Sequence, residues 1–185
     1  MSSRMEPPNP FAIGIDPSIA GTCVCLGTSP WSYRMQKFHS APSGRGLRAR
    51  MTRIEDTVAR VMKWLSDSPE LKDHPYPTLL IEGYSFGSKQ GGEYLAEYGG
   101  LLRFHLMDDF DAYEVAPTQL KKYITGKGSG KKELMIAHIA NKYGGIFDSN
   151  DHYDAYGLFL MGLGVIKAVD VNKEQQAAID AVLKQ

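Results

Sequence analysis

The chain has 185 residues, of which 43% are hydrophobic and 23% are charged, and its formal net charge is zero. These values are typical of one soluble globular domain with a substantial core, and a neutral total argues against indiscriminate binding of nucleic acids. No apolar stretch approaches the roughly 20 residues that cross a membrane, and the N-terminus lacks the apolar segment of a signal peptide. The only cysteines, Cys23 and Cys25, have a spacing that suits neither a disulfide framework nor a structural zinc site. We therefore expect a cytoplasmic protein without a membrane partner.

The charged residues are clustered despite the neutral total. Eight basic and two acidic residues lie between positions 34 and 63, and six lysines and one glutamate lie between positions 121 and 142. Such clusters favour a basic face that a polyanion would meet. Solvated helix surfaces explain them about equally well, so clustering alone does not decide between the two interpretations.

Three strand-like segments follow a short lead-in. Residues 1–10 contain three prolines and few apolar residues, which predicts disorder. Strands are then predicted at 11–16, 22–27 and 31–38, separated by turns that contain glycine or proline, and their order predicts an antiparallel meander. Apolar residues at helical spacing next predict a helix at 47–65.

The rest of the chain alternates strands with helices. Short apolar segments predict strands at 78–82 and 112–115, with a helix at 93–107 between them. Further helices are predicted from Pro117, at 131–142, at 150–166, and from a cap at Asn172 and Gln175 to Leu183. This order predicts an α/β fold with a mixed five-stranded sheet flanked by helices, compatible with a ribonuclease-H-like layout. The predicted domain covers residues 11–168, and residues 169–185 form a helical extension.

Four acidic residues are positioned for a shared site. Asp16 and Glu82 each end an apolar strand, and if those strands are parallel neighbours, their carboxyl ends meet at one edge of the sheet. Asp151 and Asp154 are three residues apart at a predicted helix start, so they share one face of that helix. Crowded carboxylates repel one another unless a cation is bound, and ligands that are all oxygen favour Mg²⁺ or Mn²⁺ over zinc.

Each acid also has an ordinary explanation. An aspartate after a strand is most often a turn residue, and Asp151 and Asp154 suit the N-terminus of a helix without any metal. Glu82 is harder to explain in this way, because glutamate has no turn propensity. The joint placement of the four residues is what favours a metal site.

The segments around these acids resemble the RuvC-type Holliday-junction resolvases, a family that includes phage-encoded members. GIDPSIAGT and LLIEGYSFG are similar to the first two motifs of the family, and NDHYDAYGLFL is similar to the last. The segment APTQLKKYITGKGSGKKE resembles the basic segment of the family, and LAEYGGLL resembles the helix through which it dimerises. The resemblance runs from about residue 11 to residue 164.

The resemblance implies a homodimer in a bacterial or phage-infected cytoplasm. It also implies that the protein cleaves branched DNA, especially four-way junctions, by paired symmetric nicks that leave 5′-phosphate and 3′-hydroxyl ends. The four acids would be catalytic and would hold two Mg²⁺ ions, with Mn²⁺ as a substitute. Lys121 and Lys132 would neutralise charge on the scissile phosphate.

Further residues are predicted to contact DNA. The loop after Glu82 contains Tyr84 and Phe86, and the resemblance implies that an aromatic side chain from this loop stacks on a base at the crossover. Tyr84 is as easily a core residue, which leaves Phe86 as the better candidate. The basic candidates are Lys121, Lys127, Lys131, Lys132, Arg45 and Arg48.

Three alternatives stay open. A less selective nuclease for forks and flaps would use the same metal site. The GIDPS string also occurs in actin-like ATPases, so a fragment of an ATP phosphotransferase is possible, although the short chain lacks two large lobes. A non-catalytic junction binder is the third, although such a protein gains nothing from crowded acids beside a polyanion.

Overall fold

The computed structural model describes residues 10–18, 21–40, 44–72, 74, 77–84 and 92–184 of the chain. The strands are β1 (Ala12–Asp16), β2 (Gly21–Ser29), β3 (Ser32–His39), β4 (Thr78–Glu82) and β5 (Asp111–Val115). They form one sheet in the order β3-β2-β1-β4-β5. The pairs β1–β2 and β2–β3 are antiparallel, which confirms the predicted meander, whereas β1–β4 and β4–β5 are parallel.

Helices cover both faces of this sheet. They are α1 (Leu47–Ser66), α2 (Gly92–Leu106), α3 (Pro117–Thr125), α4 (Lys132–Tyr143), α5 (Asn150–Val165) and α6 (Lys173–Leu183), and a 3₁₀ turn covers Pro69–Leu71. The predicted cap of the last helix is confirmed, because the Gln175 amide donates to the Asn172 side chain and the Asn172 amide donates to the Gln175 side chain. Within the described residues, no helix is both long enough and apolar enough to span a membrane.

The strands bury their side chains on alternate faces, which gives the protein two cores. Ala12, Cys23 and Leu80 face the core that α3, α4, α5 and α6 cover. Ile13 and Leu79 face the opposite core, which α1 and α2 cover. The mixed five-stranded sheet flanked by helices is therefore the fold that the sequence predicts, and the helix after residue 169 packs into the first of these cores.

The apolar stripe of α1 is longer than its buried side. Ile54, Val58 and Leu65 pack against the sheet, whereas Leu47 and Met51 are exposed at the start of the helix. Helical spacing alone predicts all of them as core residues. Leu47 and Met51 are exposed because they precede the part of α1 that packs into the core, which begins at Ile54.

Helix α5 lies directly on the backbone of β1. A Cβ atom on Gly14 would stand 2.2 Å from the carbonyl oxygen of Ala155 and 2.3 Å from the amide nitrogen of Phe159. Farther along the helix, a Cβ atom on Gly162 would stand 3.0 Å from the side chain of Ala12. Glycine at these positions lets the helix approach the strand without an intervening side chain, so the two glycines set the height of α5 above the sheet.

We predict that Gly14→Ala destabilises the protein, because the new methyl group would overlap backbone atoms that no side-chain rotation can move. The free energy of unfolding, measured by urea denaturation, should fall by about 3 kcal/mol, at the upper end of the usual cost of overpacking. Gly130→Ala is the matched control, since the nearest atom to its Cβ would be a leucine methyl at 3.8 Å. The control should change stability by less than about 0.5 kcal/mol. Equal effects of the two substitutions would contradict the close contact.

Candidate metal centre

Three acidic side chains converge at the carboxyl end of the parallel strand pair. Asp16 is the last residue of β1, Glu82 is the last residue of β4, and these strands are hydrogen-bonded neighbours. Asp154 lies in the second turn of α5, which the close contact with β1 holds over this edge. One carboxylate oxygen from each of the three residues lies within 4.8 Å of the others. This is the edge at which open α/β sheets bind ligands.

Burial makes the negative charge of this group costly. Asp16 and Asp154 are buried, at 5% and 8% exposure, and Glu82 is half-buried. Burial, followed by repulsion from Glu82, holds the pKa of Asp16 well above its usual value. Burial and the charge of Asp154 raise the pKa of Glu82 to about 7. A bound cation would remove this strain, because it stabilises the ionised form of all three groups.

Two predicted lysines lie beside the acids. The Lys132 ammonium, at the start of α4, forms an ion pair with Asp154. Burial raises the pKa of Asp154, and the hydrogen bond from Lys132 opposes that rise. Lys121 on α3 is near enough for its charge to lower the pKa of both Glu82 and Asp154. The structure therefore brings both lysines to the acidic group.

Asp151 lies one helical turn before Asp154 but outside the group of three. Its carboxylate forms an ion pair with Lys37 on β3, with 2.6 Å between Nζ and Oδ2. The Lys37 ammonium also donates to the hydroxyl of Ser149 at 3.3 Å, and that hydroxyl is 2.7 Å from Nδ1 of His152. Asp151 is still close enough to raise the pKa of Asp16 and Asp154. Lys37 is a site residue that the sequence does not identify.

Arg103 on α2 is the second residue that the sequence does not identify. Its guanidinium donates to the carbonyl of Glu82 at 2.7 Å and to the carboxylate of Glu114 at 3.0 Å. It also lies over the ring of Tyr84, 4.4 Å from the centroid. These contacts fix the backbone at the end of β4, from which the Glu82 side chain extends.

Of Tyr84 and Phe86, the two residues predicted to stack on a DNA base, the structure describes Tyr84. Tyr84 donates its hydroxyl to the carbonyl of Ala96 on α2 and packs beside Gly99, where a Cβ atom would stand 2.9 Å from that hydroxyl oxygen. The side chain of Tyr84 therefore occupies the space beside Gly99 on α2. Phe86 lies outside the described residues.

The other predicted DNA contacts lie on two separate surfaces. Lys127 and Lys131 are exposed on the glycine-rich connection between α3 and α4, next to the helices that carry Lys121 and Lys132. Arg45 and Arg48 are exposed at the start of α1, which packs on the other face of the sheet.

The three converging residues suit a hard divalent cation. All three offer carboxylate oxygens, which are the ligands that Mg²⁺ and Mn²⁺ prefer. Cys23 pairs with Asp16 across β1 and β2 but is not part of the group, and burial together with Asp16 raises its pKa to about 12. The donor set therefore favours Mg²⁺ or Mn²⁺ over zinc.

Comparison with solved structures finds RuvC of Thermus thermophilus. The two folds superpose with a TM-score of 0.63 at 16% sequence identity, over 88% of this chain and 99% of that one. The structure of T. thermophilus RuvC in complex with a Holliday junction substrate gives a TM-score of 0.63 at 15% identity, with the same coverage. No protein-family model and no curated protein matches the chain. At this level of identity, the likeness establishes a ribonuclease-H-like fold of the RuvC kind.

We predict that Asp16→Asn stabilises the metal-free protein, because it removes a buried carboxylate that repels its two acidic neighbours. At about pH 8 the melting temperature should rise by at least about 2 °C, the shift that about 1 kcal/mol produces in a chain of this size. Millimolar Mn²⁺ should raise the melting temperature of the wild type and leave that of the variant unchanged, because a ligand stabilises only the state that binds it.

Asp170→Asn serves as the matched control, since Asp170 is exposed. It should leave the melting temperature unchanged and should keep the response to Mn²⁺. A metal-free Asp16→Asn protein that melts below the wild type would contradict the electrostatic account.

Proposed function

We propose that the chain is a metal-dependent endonuclease that resolves four-way DNA junctions. The observation that carries the proposal is the convergence of Asp16, Glu82 and Asp154, with Lys132 beside them, at the carboxyl edge of a ribonuclease-H-like sheet. The likeness to a RuvC structure with a bound Holliday junction substrate supports the choice of substrate. Residues 11–168 would form the nuclease domain, and residues 169–185 would be an extension packed against it.

The acids would hold Mg²⁺, with Mn²⁺ as a substitute. Asp16, Glu82 and Asp154 would provide the first ion with its ligands, and Asp151 would join them when a second ion is bound. Divalent ions in such a site supply Lewis acidity and stabilise negative charge on the oxygens of a phosphodiester. The buried, mutually repelling state of the metal-free acids supports this assignment.

The lysines would allow a phosphate to approach these acids. The Lys132 ammonium, which donates to Asp154 in the free protein, can turn one of its three N–H bonds toward a non-bridging phosphate oxygen. Lys121 adds a second positive charge near Glu82 and Asp154. In the proposed reaction a water oxygen bonds to phosphorus while the bond from phosphorus to the 3′ oxygen breaks. The attacking water gives up one proton and the departing oxygen takes one, which leaves a 3′-hydroxyl and a 5′-phosphate.

The DNA arms would be held by the exposed basic residues. Lys127 and Lys131 would contact the DNA backbone from the connection between α3 and α4, and Arg45 and Arg48 would contact it from the start of α1. Phe86 remains the proposed stacking residue. The contacts of Tyr84 with Ala96 and Arg103 support a packing role for that tyrosine instead.

A homodimer would present two such sites to a symmetric junction, so that paired nicks yield two duplexes. The support for a dimer lies on α2, where Phe104 and Met107, the residue after the helix, are 68% and 72% exposed. Large apolar side chains exposed three residues apart, at the end of one helix, are typical of a surface that a second copy covers.

We predict that the wild type cleaves a four-way junction in Mg²⁺ and that Asp16→Asn reduces the rate by about two orders of magnitude or more. Junction binding, measured by gel shift in Ca²⁺, should persist in the variant, because the basic residues that contact DNA are unchanged. Lys132→Met should also slow cleavage, because it removes a positive charge from the phosphate site.

The choice of DNA substrate separates the remaining functions. Equal cleavage of forks and junctions would favour the broader branched-DNA nuclease, and equal cleavage of linear duplex would exclude junction selectivity. Cleavage that survives Asp16→Asn would contradict the proposed site, and tight ATP binding would revive the actin-like alternative.

For the dimer, we predict that Phe104→Glu together with Met107→Glu converts a particle of twice the 20.5 kDa chain mass into a monomer. The reason is that two charges in a buried apolar contact would face their own symmetry copies. Light scattering coupled to size exclusion measures the mass. Trp31→Glu, at an aromatic residue that is 74% exposed in the β2–β3 turn, is the matched control and should leave the mass unchanged. A wild-type monomer at micromolar concentration would contradict the dimer.

A further inference from the structure

Lys37 is directed into the acidic site from an edge strand of the sheet. Its ammonium nitrogen lies 2.6 Å from Oδ2 of Asp151 and 3.3 Å from Oγ of Ser149. The side chains of Lys37 and Asp151 are only 17% and 23% exposed, so the pair is shielded from bulk water. The exposed ion pair of Lys63 and Asp67 on α1, at 76% and 61% exposure, is a useful contrast.

The register of the sheet explains how Lys37 reaches the site. Lys37 on β3 is directly opposite Cys23 on β2, and Cys23 is directly opposite Asp16 on β1. Cross-strand partners point to the same face of a sheet, so the three side chains form one row on the face that α5 covers. Asp154 lies at the Asp16 end of this row, and Asp151 lies at the Lys37 end.

A glycine makes room for the lysine side chain. A Cβ atom on Gly21 would stand 2.8 Å from Cε of Lys37 and 3.4 Å from Cγ. Because position 21 carries no side chain, the aliphatic part of Lys37 can lie across β2. A lysine usually keeps its ammonium group in water, whereas here the ammonium is held at Asp151. The ion pair with Asp151 is therefore built into the sheet.

The two acids of α5 differ in what a metal must displace. Asp154 belongs to the group of three converging acids, so an ion there has two further carboxylates as ligands. Asp151 is already neutralised by Lys37, and an ion that used Asp151 would have to move that ammonium away. A cation next to an ammonium is repelled, and this repulsion is strong when both are shielded from water.

We propose that Lys37 is a positioning residue that keeps Asp151 paired in the DNA-free protein, so that the site binds two divalent ions in unequal steps. The first ion binds at Asp16, Glu82 and Asp154 without disturbing Lys37. The second ion uses Asp151 and binds weakly, because it must displace the ammonium. This inference rests on the proposed metal centre and adds a residue that sets the affinity of its second step.

The test is a titration of the full chain with Mn²⁺ in the absence of DNA. Calorimetry measures the heat of binding, and electron paramagnetic resonance measures the concentration of free Mn²⁺. Lys37→Met keeps most of the length of the side chain and removes its charge. We expect this variant to bind the second ion about tenfold more tightly or better, because the ion no longer has to break a close charge pair. The affinity for the first ion should be unchanged. Lys37→Arg should restore the wild-type pattern, because it restores the charge.

Two further variants connect the effect to Asp151 and to the pair. Adding Asp151→Asn to Lys37→Met should abolish the gain, since the ligand that Lys37 protects is then lost. Lys63→Met removes a lysine from the exposed pair on α1 and should change neither step. Circular dichroism checks that each variant is folded, and Lys37→Gln provides a second neutral substitution if Lys37→Met does not fold.

The outcomes distinguish this inference from the proposed function. If Lys37→Met binds the second ion no more tightly than the wild type, or if the gain survives Asp151→Asn, the role of Lys37 is refuted while the metal centre stands. If neither protein shows Mn²⁺ binding that Asp16→Asn removes, the metal centre itself is refuted, and the inference is refuted with it.

Discussion

The candidate site depends on the distance between helix α5 and strand β1. Gly14 offers no side chain to the helix, so the carbonyl of Ala155 and the amide of Phe159 occupy the space where a Cβ atom would stand. A helix held at side-chain distance would carry Asp154 away from the sheet edge. Because the backbones touch, Asp154 instead joins Asp16 and Glu82 in a group whose oxygens lie within 4.8 Å of one another. Packing of small residues in the core thus determines the geometry of the acids.

This geometry has an electrostatic cost that the chain offsets only in part. Each acid of α5 has a lysine from a different element, with Lys132 of α4 at Asp154 and Lys37 of β3 at Asp151. Asp16 and Glu82 end neighbouring strands, and the ion pairs of the described residues include neither. The pKa of Asp16 is accordingly held well above its usual value by burial and by Glu82. Buried acids whose ionised form is disfavoured in the absence of a cation are typical of a binding centre and not of a structural core.

The sequence predicts the fold well because its signals are local. Turns, strand alternation and helical spacing locate the strands and α-helices of the described residues, though not the 3₁₀ turn at Pro69–Leu71. The placement of Asp16 and Glu82 at the ends of two apolar strands predicts their convergence once those strands are parallel neighbours. Lys37 is missed because its partner Asp151 is distant in the sequence and because alternate residues of β3, an edge strand, are exposed. Counting register through the predicted meander would have placed Lys37 on the Asp16 face. Arg103 offers no such signal, since its contacts with Glu82 and Tyr84 depend on the rotation of α2.

We infer that the three converging acids form a divalent-metal centre. The most direct measurement is a crystal structure of the protein with Mn²⁺, with data collected at a wavelength where manganese scatters anomalously. We expect an anomalous peak between the carboxylates of Asp16, Glu82 and Asp154, at the Mn–O distances of about 2.0–2.3 Å expected for a hard cation. Full Mn²⁺ loading in solution with no anomalous density at these three residues would contradict this inference.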